Sequence, residues 1–198
     1  MMSALRRKIS ALKHRILLFM GLDLYLDSPD RTILEQEIIP YFRDLSEFHK
    51  ILFVGCDWYT TSYKKLLKNK EYWTIEIDPK KRQYGSDKHI VDGIQNLSLH
   101  IEPGYFDLIF FNGVFGFGLN TKDDTDKAFQ AYFDALRTRG VLVFGWNDIS
   151  EYKPFAVLEE CDNLQKFQSY TFPPLNTSHY LTPETPLRHT FDFFVKNI

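Results

Sequence analysis

Three short stretches hold residues whose types and spacing suit chemistry on a nucleotide-like ligand. In the first, the apolar run Ile51, Leu52, Phe53 and Val54 stops at Gly55, followed by Cys56 and Asp57. A strand that gives way to a small residue and then to a helix start leaves unpaired backbone amides, which accept a polar or anionic group. About twenty residues on, Glu76 and Asp78 close a second apolar run. A carboxylate at that distance accepts hydrogen bonds from both hydroxyls of a ribose. The two acids share one face of an extended chain, so spacing alone does not choose between them. Third, Asp92 and Gly93 end the run His89 to Val91.

The elements that must position these residues follow from the hydrophobic pattern. Lys50 to Asp78 reads as strand, turn, helix (Thr61 to Leu67) and strand (Tyr72 to Ile77), a parallel crossover unit. Phe106 to Phe111 and Val141 to Trp146 are further unbroken apolar runs, as expected of strands covered on both faces. Asp123 to Arg137 places Ala128, Phe129, Tyr132, Phe133 and Leu136 on one helical face. A shorter helix is expected from Pro154 to Glu160. Phe167 to Phe172 and Thr190 to Val195 read as a last strand pair, joined by the proline-rich stretch PPLNTSHYLTPETPLRH. The expected architecture is α/β, a Rossmann-like and mostly parallel seven-stranded sheet with an antiparallel last strand and helices on both faces.

Ahead of this unit, Ser28, Pro29 and Asp30 start a helix that reaches toward His49, and Pro40 is expected to kink or end it. Leu5, Ile9, Leu12, Ile16 and Phe19 recur at helical spacing among Arg6, Arg7, Lys8, Lys13 and Arg15. This basic amphipathic helix is expected to lie over the domain or over a second copy in a homo-oligomer; contact with a membrane surface or with nucleic acid is the sharper alternative. Residues 1–49 thus form an N-terminal helical extension packed on the core, and 50–198 the main domain.

Bulk properties narrow the function. With 198 residues and a net charge of −2, the chain is not a general electrostatic binder of nucleic acid. Its two cysteines, Cys56 and Cys161, lack the paired spacing of a metal site or a disulfide framework, so no metal is expected and a cytoplasmic setting is the default. A dinucleotide fingerprint needs three glycines within six residues, and GCDWYT has Gly55 alone, which disfavours a nicotinamide-dependent oxidoreductase.

The order of these parts resembles the class I S-adenosylmethionine-dependent methyltransferases. The first motif of that family matches as FVGCD, with Asp57 where a second glycine is usual; its ribose-holding acid matches within IEIDP, in a register that favours Glu76. An acid contacting the adenine amino group matches as Asp92 in VDGIQNL, and FDLIFFNGVFGF would run Asn112 and Gly113 beneath the methionine part of the cofactor. The turn before the fifth strand, LRTRG, keeps Gly140 but lacks the usual proline and a second glycine. The resemblance implies that Gly55, Cys56, Asp57, Glu76, Asp92, Gly93 and Asn112 bind S-adenosylmethionine, with methyl transfer to a small-molecule acceptor. His179 and Asp148 occupy positions that could face the methyl group, and Trp58, Tyr59, Phe115, Phe117, Trp146 and Tyr180 surround the mouth. The altered first motif also admits a catalytically inactive scaffolding module.

Overall fold

The computed structural model describes residues 26–155 and 158–197; the expected helix at Leu5 to Phe19 lies outside them. Eight strands form one sheet: β1 (Lys50–Val54), β2 (Glu71–Ile75), β3 (Lys88–Ile90), β4 (Phe106–Asn112), β5 (Leu136–Asn147), β6 (Gln168–Ser169), β7 (His179–Leu181) and β8 (His189–Val195). Their order is β3-β2-β1-β4-β5-β8-β6, with β7 also paired to β8. The first five are mutually parallel, and β8 runs antiparallel to β5.

Alternation along the central strands sorts the core into two layers, because successive side chains leave opposite faces of a sheet. Leu52, Val54, Ile109, Phe111, Leu142 and Phe144 pack beneath α3 (Lys122–Ala135) with its Ala128, Phe129 and Tyr132. Ile51, Phe53, Leu108, Phe110, Val141 and Val143 pack against the helical run 29–44, here called α1, through Leu34, Ile38, Ile39 and Phe42. These four helical side chains are fully buried, so α1 seals one face of the sheet.

Pro40 does not end α1. The turn before it, Leu34–Ile38, is π-helical, and the Ile39 amide bonds back to the Leu34 carbonyl. That wider turn takes up the disturbance a proline makes in the ladder, and helix resumes over Ile39–Asp44. The other crossovers are minimal. Only Tyr63–Leu66 (α2) is α-helical between β1 and β2, while 3₁₀ turns at Pro79–Tyr84 and Ile94–Leu99 replace helices after β2 and β3. Between β5 and β6 the described residues hold 3₁₀ turns at Ser150–Tyr152 and at Leu158–Glu160, the latter where the end of a helix was expected.

At the far edge, β6 and β7 pair in tandem with β8 where one strand over Phe167 to Phe172 was expected. The interruption has a cause in packing. Phe172 turns inward, fully buried, and stacks on Phe193 at 4.6 Å and on Phe42 at 5.7 Å, so the chain leaves the edge before Pro173–Leu175 and rejoins it at His179. No helix among the described residues is long and apolar enough to cross a membrane.

Candidate functional site

The carboxyl ends of β1, β2, β3 and β4 open into one cleft, the place where open α/β sheets bind ligands. Gly55, Cys56, Glu76, Asp92, Gly93 and Asn112 all line it. Gly55 is required by the local backbone: its φ is +78°, and an added Cβ would meet Val114 Cγ2 at 2.8 Å.

Glu76 is held from two sides. Its Oε2 accepts the Cys56 amide at 3.2 Å and its Oε1 the Asp78 amide at 2.9 Å, which fixes the carboxylate at the cleft wall and leaves each oxygen a further lone pair. Asp78, its rival in the sequence, instead caps the Pro79–Tyr84 turn through the Lys80 amide at 2.9 Å. Burial, with the Glu76 charge nearby, pushes the Cys56 thiol up to about 12. Cys56 therefore stays a thiol at neutral pH and is not a thiolate nucleophile.

Asp57 is not among the lining residues. It caps the 3₁₀ turn Trp58–Thr60, its side chain accepting the Trp58 amide at 2.7 Å while Thr60 Oγ1 accepts the Asp57 amide at 3.1 Å. Its other carboxylate oxygen pairs with Lys81 Nζ at 3.0 Å. The departure from a glycine thus serves the turn, and Lys81 offsets the charge it brings. Asp92 lines the cleft, yet its carboxylate also accepts from the Gly93 amide at 2.7 Å, Asn96 Nδ2 at 2.9 Å and His100 at 2.8 Å, and these bonds hold it below the usual carboxylate range. Ile77, 71% exposed, and Phe117, 54% exposed, present apolar surface in the cleft.

A polar chain lies beneath the β4 end. His189 bonds Asn147 Oδ1 through Nδ1 at 2.7 Å and Asn112 Oδ1 through Nε2 at 3.1 Å. Burial lowers its pKa to about 4, so the ring is neutral and donates through one nitrogen only; one of the two asparagines must donate to the other. The amide atom that Asn112 turns away from His189 has no hydrogen-bond partner.

Arg31, from the first turn of α1, also lines this cleft and is 7% exposed. Its Nη1 donates to Tyr63 Oη at 3.0 Å, Tyr63 donates on to Glu35 at 2.9 Å, and the guanidinium lies 4.5 Å over the Tyr59 ring. The spacing motifs after Lys50 hold no trace of this residue. Ser28, Pro29 and Asp30 mark it only as part of a helix start, where a basic residue is against the usual preference for acids in the first turn. That reversal was the available signal.

His179 and Asp148 sit elsewhere. His179 Nδ1 bonds Asp192 at 2.6 Å, Asp148 pairs with Lys153 and Arg188, and both line a separate cavity near Trp146 and Phe155. Of the aromatics around the mouth, Tyr59 and Phe117 line the cleft, whereas Phe115 and Trp146 stack into the core beside Phe144. Among the described residues no cluster of histidine, cysteine or acidic side chains has the make-up of a metal site.

No protein-family model matches the chain, and no curated protein matches it in sequence. Its fold does match solved structures. An N-methyltransferase NodS from Bradyrhizobium japonicum, in complex with S-adenosyl-L-homocysteine, superposes with a TM-score of 0.61 at 16% identity, over 88% of this chain and 94% of that one. A TehB-like S-adenosylmethionine-dependent methyltransferase from Corynebacterium glutamicum gives 0.55 at 19% identity, over 98% and 100%. An rRNA methylase from Streptococcus thermophilus gives 0.56 at 16%, over 88% and 100%. At such identities the shared property is the fold.

Proposed function

We propose that this chain, which has the class I methyltransferase fold, binds S-adenosylmethionine in the cleft above β1, β2 and β4 and transfers its methyl group to a small-molecule acceptor. The observation that carries the reading is Glu76: a carboxylate at the β2 end, oriented by two backbone amides, with lone pairs left over for a vicinal diol. The remaining lining fits the same ligand. Gly55 lets a chain pass close to the backbone, Asp92 and Gly93 stand where an adenine edge would reach, and Ile77 and Phe117 offer apolar faces to a base. Asn112 and Gly113 lie on the methionine side.

Bound there, the cofactor supplies a methyl carbon on a positively charged sulfur, which an acceptor's lone pair takes in line as the carbon–sulfur bond breaks. The chain's own contribution is alignment. Glu76 fixes the ribose, the neutral His189 and Asn112 hold the β4 end rigid beside the reacting groups, and the loop carrying Val114 and Phe117 covers the cleft from one side. The protonated Cys56 keeps a competing nucleophile out of the site. Asp57, through its cap and its bridge to Lys81, shapes the first turn.

Replacing Glu76 with alanine is expected to weaken binding of S-adenosylhomocysteine by about 2 kcal/mol, roughly thirtyfold, through lost charged hydrogen bonds. Calorimetry on the variant measures this, and equal affinity in the two proteins would remove Glu76 from the site.

A further inference from the structure

We infer that Arg31 is a carboxylate receptor built into the cleft. A guanidinium only 7% exposed is expected to spend its donors on acceptors, since a buried unpaired N–H costs about 1–3 kcal/mol. Here one donor is spent on the neutral Tyr63 hydroxyl, and Nε has no hydrogen-bond partner. The nearest acid, Asp30, stands 3.9 Å from Nε, an ionic attraction without a hydrogen bond. The other nearby acid, Glu35, accepts from Tyr63 and does not bridge to Arg31 directly.

The guanidinium carbon lies 4.5 Å over the Tyr59 ring and Tyr63 holds Nη1, so the group is fixed in one orientation before any ligand arrives. Nη2 comes within 3.8 Å of where a Cβ on Gly113 would stand, which sets the fork against the loop leaving β4. A guanidinium held in one orientation in the cleft wall is matched to a planar carboxylate. Asn112, also without a partner on one amide atom, lies on the same wall.

This rests on the cofactor reading above, and two carboxylates could satisfy it: the amino-acid tail of the cofactor, or an acid group on the acceptor. Titration of the full chain and of Arg31→Met with S-adenosylhomocysteine, with 5′-methylthioadenosine, which lacks the amino-acid tail, and with benzoate added to the S-adenosylhomocysteine complex separates them. A tenfold or greater loss for S-adenosylhomocysteine with unchanged methylthioadenosine assigns Arg31 to the cofactor tail. Unchanged S-adenosylhomocysteine with benzoate binding abolished assigns it to the acceptor. Arg31 is overturned as a receptor if neither S-adenosylhomocysteine nor benzoate responds to the substitution, or if methylthioadenosine weakens as much as S-adenosylhomocysteine, which would mark a purely structural role. Wild-type protein that binds neither nucleoside would instead overturn the cofactor reading.

Discussion

Gly145→Ala is expected to lower the stability of the fold by about 3 kcal/mol, from steric insertion into a filled site together with a broken buried hydrogen bond. Gly145 lies in β5 between Phe144 and Trp146, whose rings face α3 and stack within the aromatic core at 6.0 Å from one another. The opposite face of β5 carries the Asn112 and His189 pair. A Cβ on Gly145 would stand 1.7 Å from Asn112 Oδ1 and 3.0 Å from His189 Nε2. Neither neighbour can yield cheaply: His189 is tied to Asn147 on its other nitrogen, and Asn112 is paired in the sheet with Gly145 itself. For a chain of this length a loss of that size lowers the melting temperature by roughly 6–12 °C. Urea unfolding of the variant measures the change, and a shift below about 0.5 kcal/mol would mean that the network is looser than its geometry.

His189 makes the fold acid-sensitive in a defined window. Burial holds its folded pKa at about 4, with Asp30 raising and Arg31 lowering it to lesser degrees. In the unfolded chain a histidine titrates near 6.5. Between these values the unfolded state binds more protons than the native state, so stability falls as pH drops from about 6.5 to about 4 and is level outside that range for this group. The total is about 3 kcal/mol, at 1.36 kcal/mol per unit. Unfolding free energies at pH 7 and pH 4.5 for wild type and for His189→Gln isolate the term, since the other titrating groups are common to both. The wild type is expected to lose more than the variant by about 2–3 kcal/mol; equal losses would show that His189 is not held neutral by its surroundings.

The parts of the fold legible in the sequence are those where one periodicity dominates. Ile51 to Val54 and Phe106 to Phe111 are apolar at every position because both faces of β1 and β4 are covered, and the helix from Lys122 carries its stripe of Ala128, Phe129 and Tyr132 toward the same layer. The preference for Glu76 over Asp78 came from a family motif; in the structure Glu76 accepts the Cys56 amide and Asp78 caps its own turn.

What was not legible depended on contacts between distant segments. Nothing local in Phe167 to Phe172 says that Phe172 will leave the edge to stack on Phe193 and Phe42, from two other elements. The helix expected over Pro154 to Glu160 had only a favourable first-turn proline behind it, and the described residues at its end form a 3₁₀ turn, Leu158–Glu160. His179 looked like a loop residue available to a cleft, but β7 brings it to Asp192. Arg31 was hidden for the same reason. Its role depends on α1 laying its first turn beside the β1 turn and Gly113, a placement set by the burial of Leu34, Ile38, Ile39 and Phe42 on the sheet. Pro40, which by itself argues for a helix break near that point, is absorbed by a π turn.

The central claim is that the cleft around Glu76 receives S-adenosylmethionine, and the most direct test is calorimetric titration of the full chain with S-adenosylhomocysteine. The account predicts one site per chain with a dissociation constant in the micromolar range, on the order of −8 kcal/mol, accompanied by an upward shift in melting temperature. No heat and no thermal shift at millimolar ligand would contradict it.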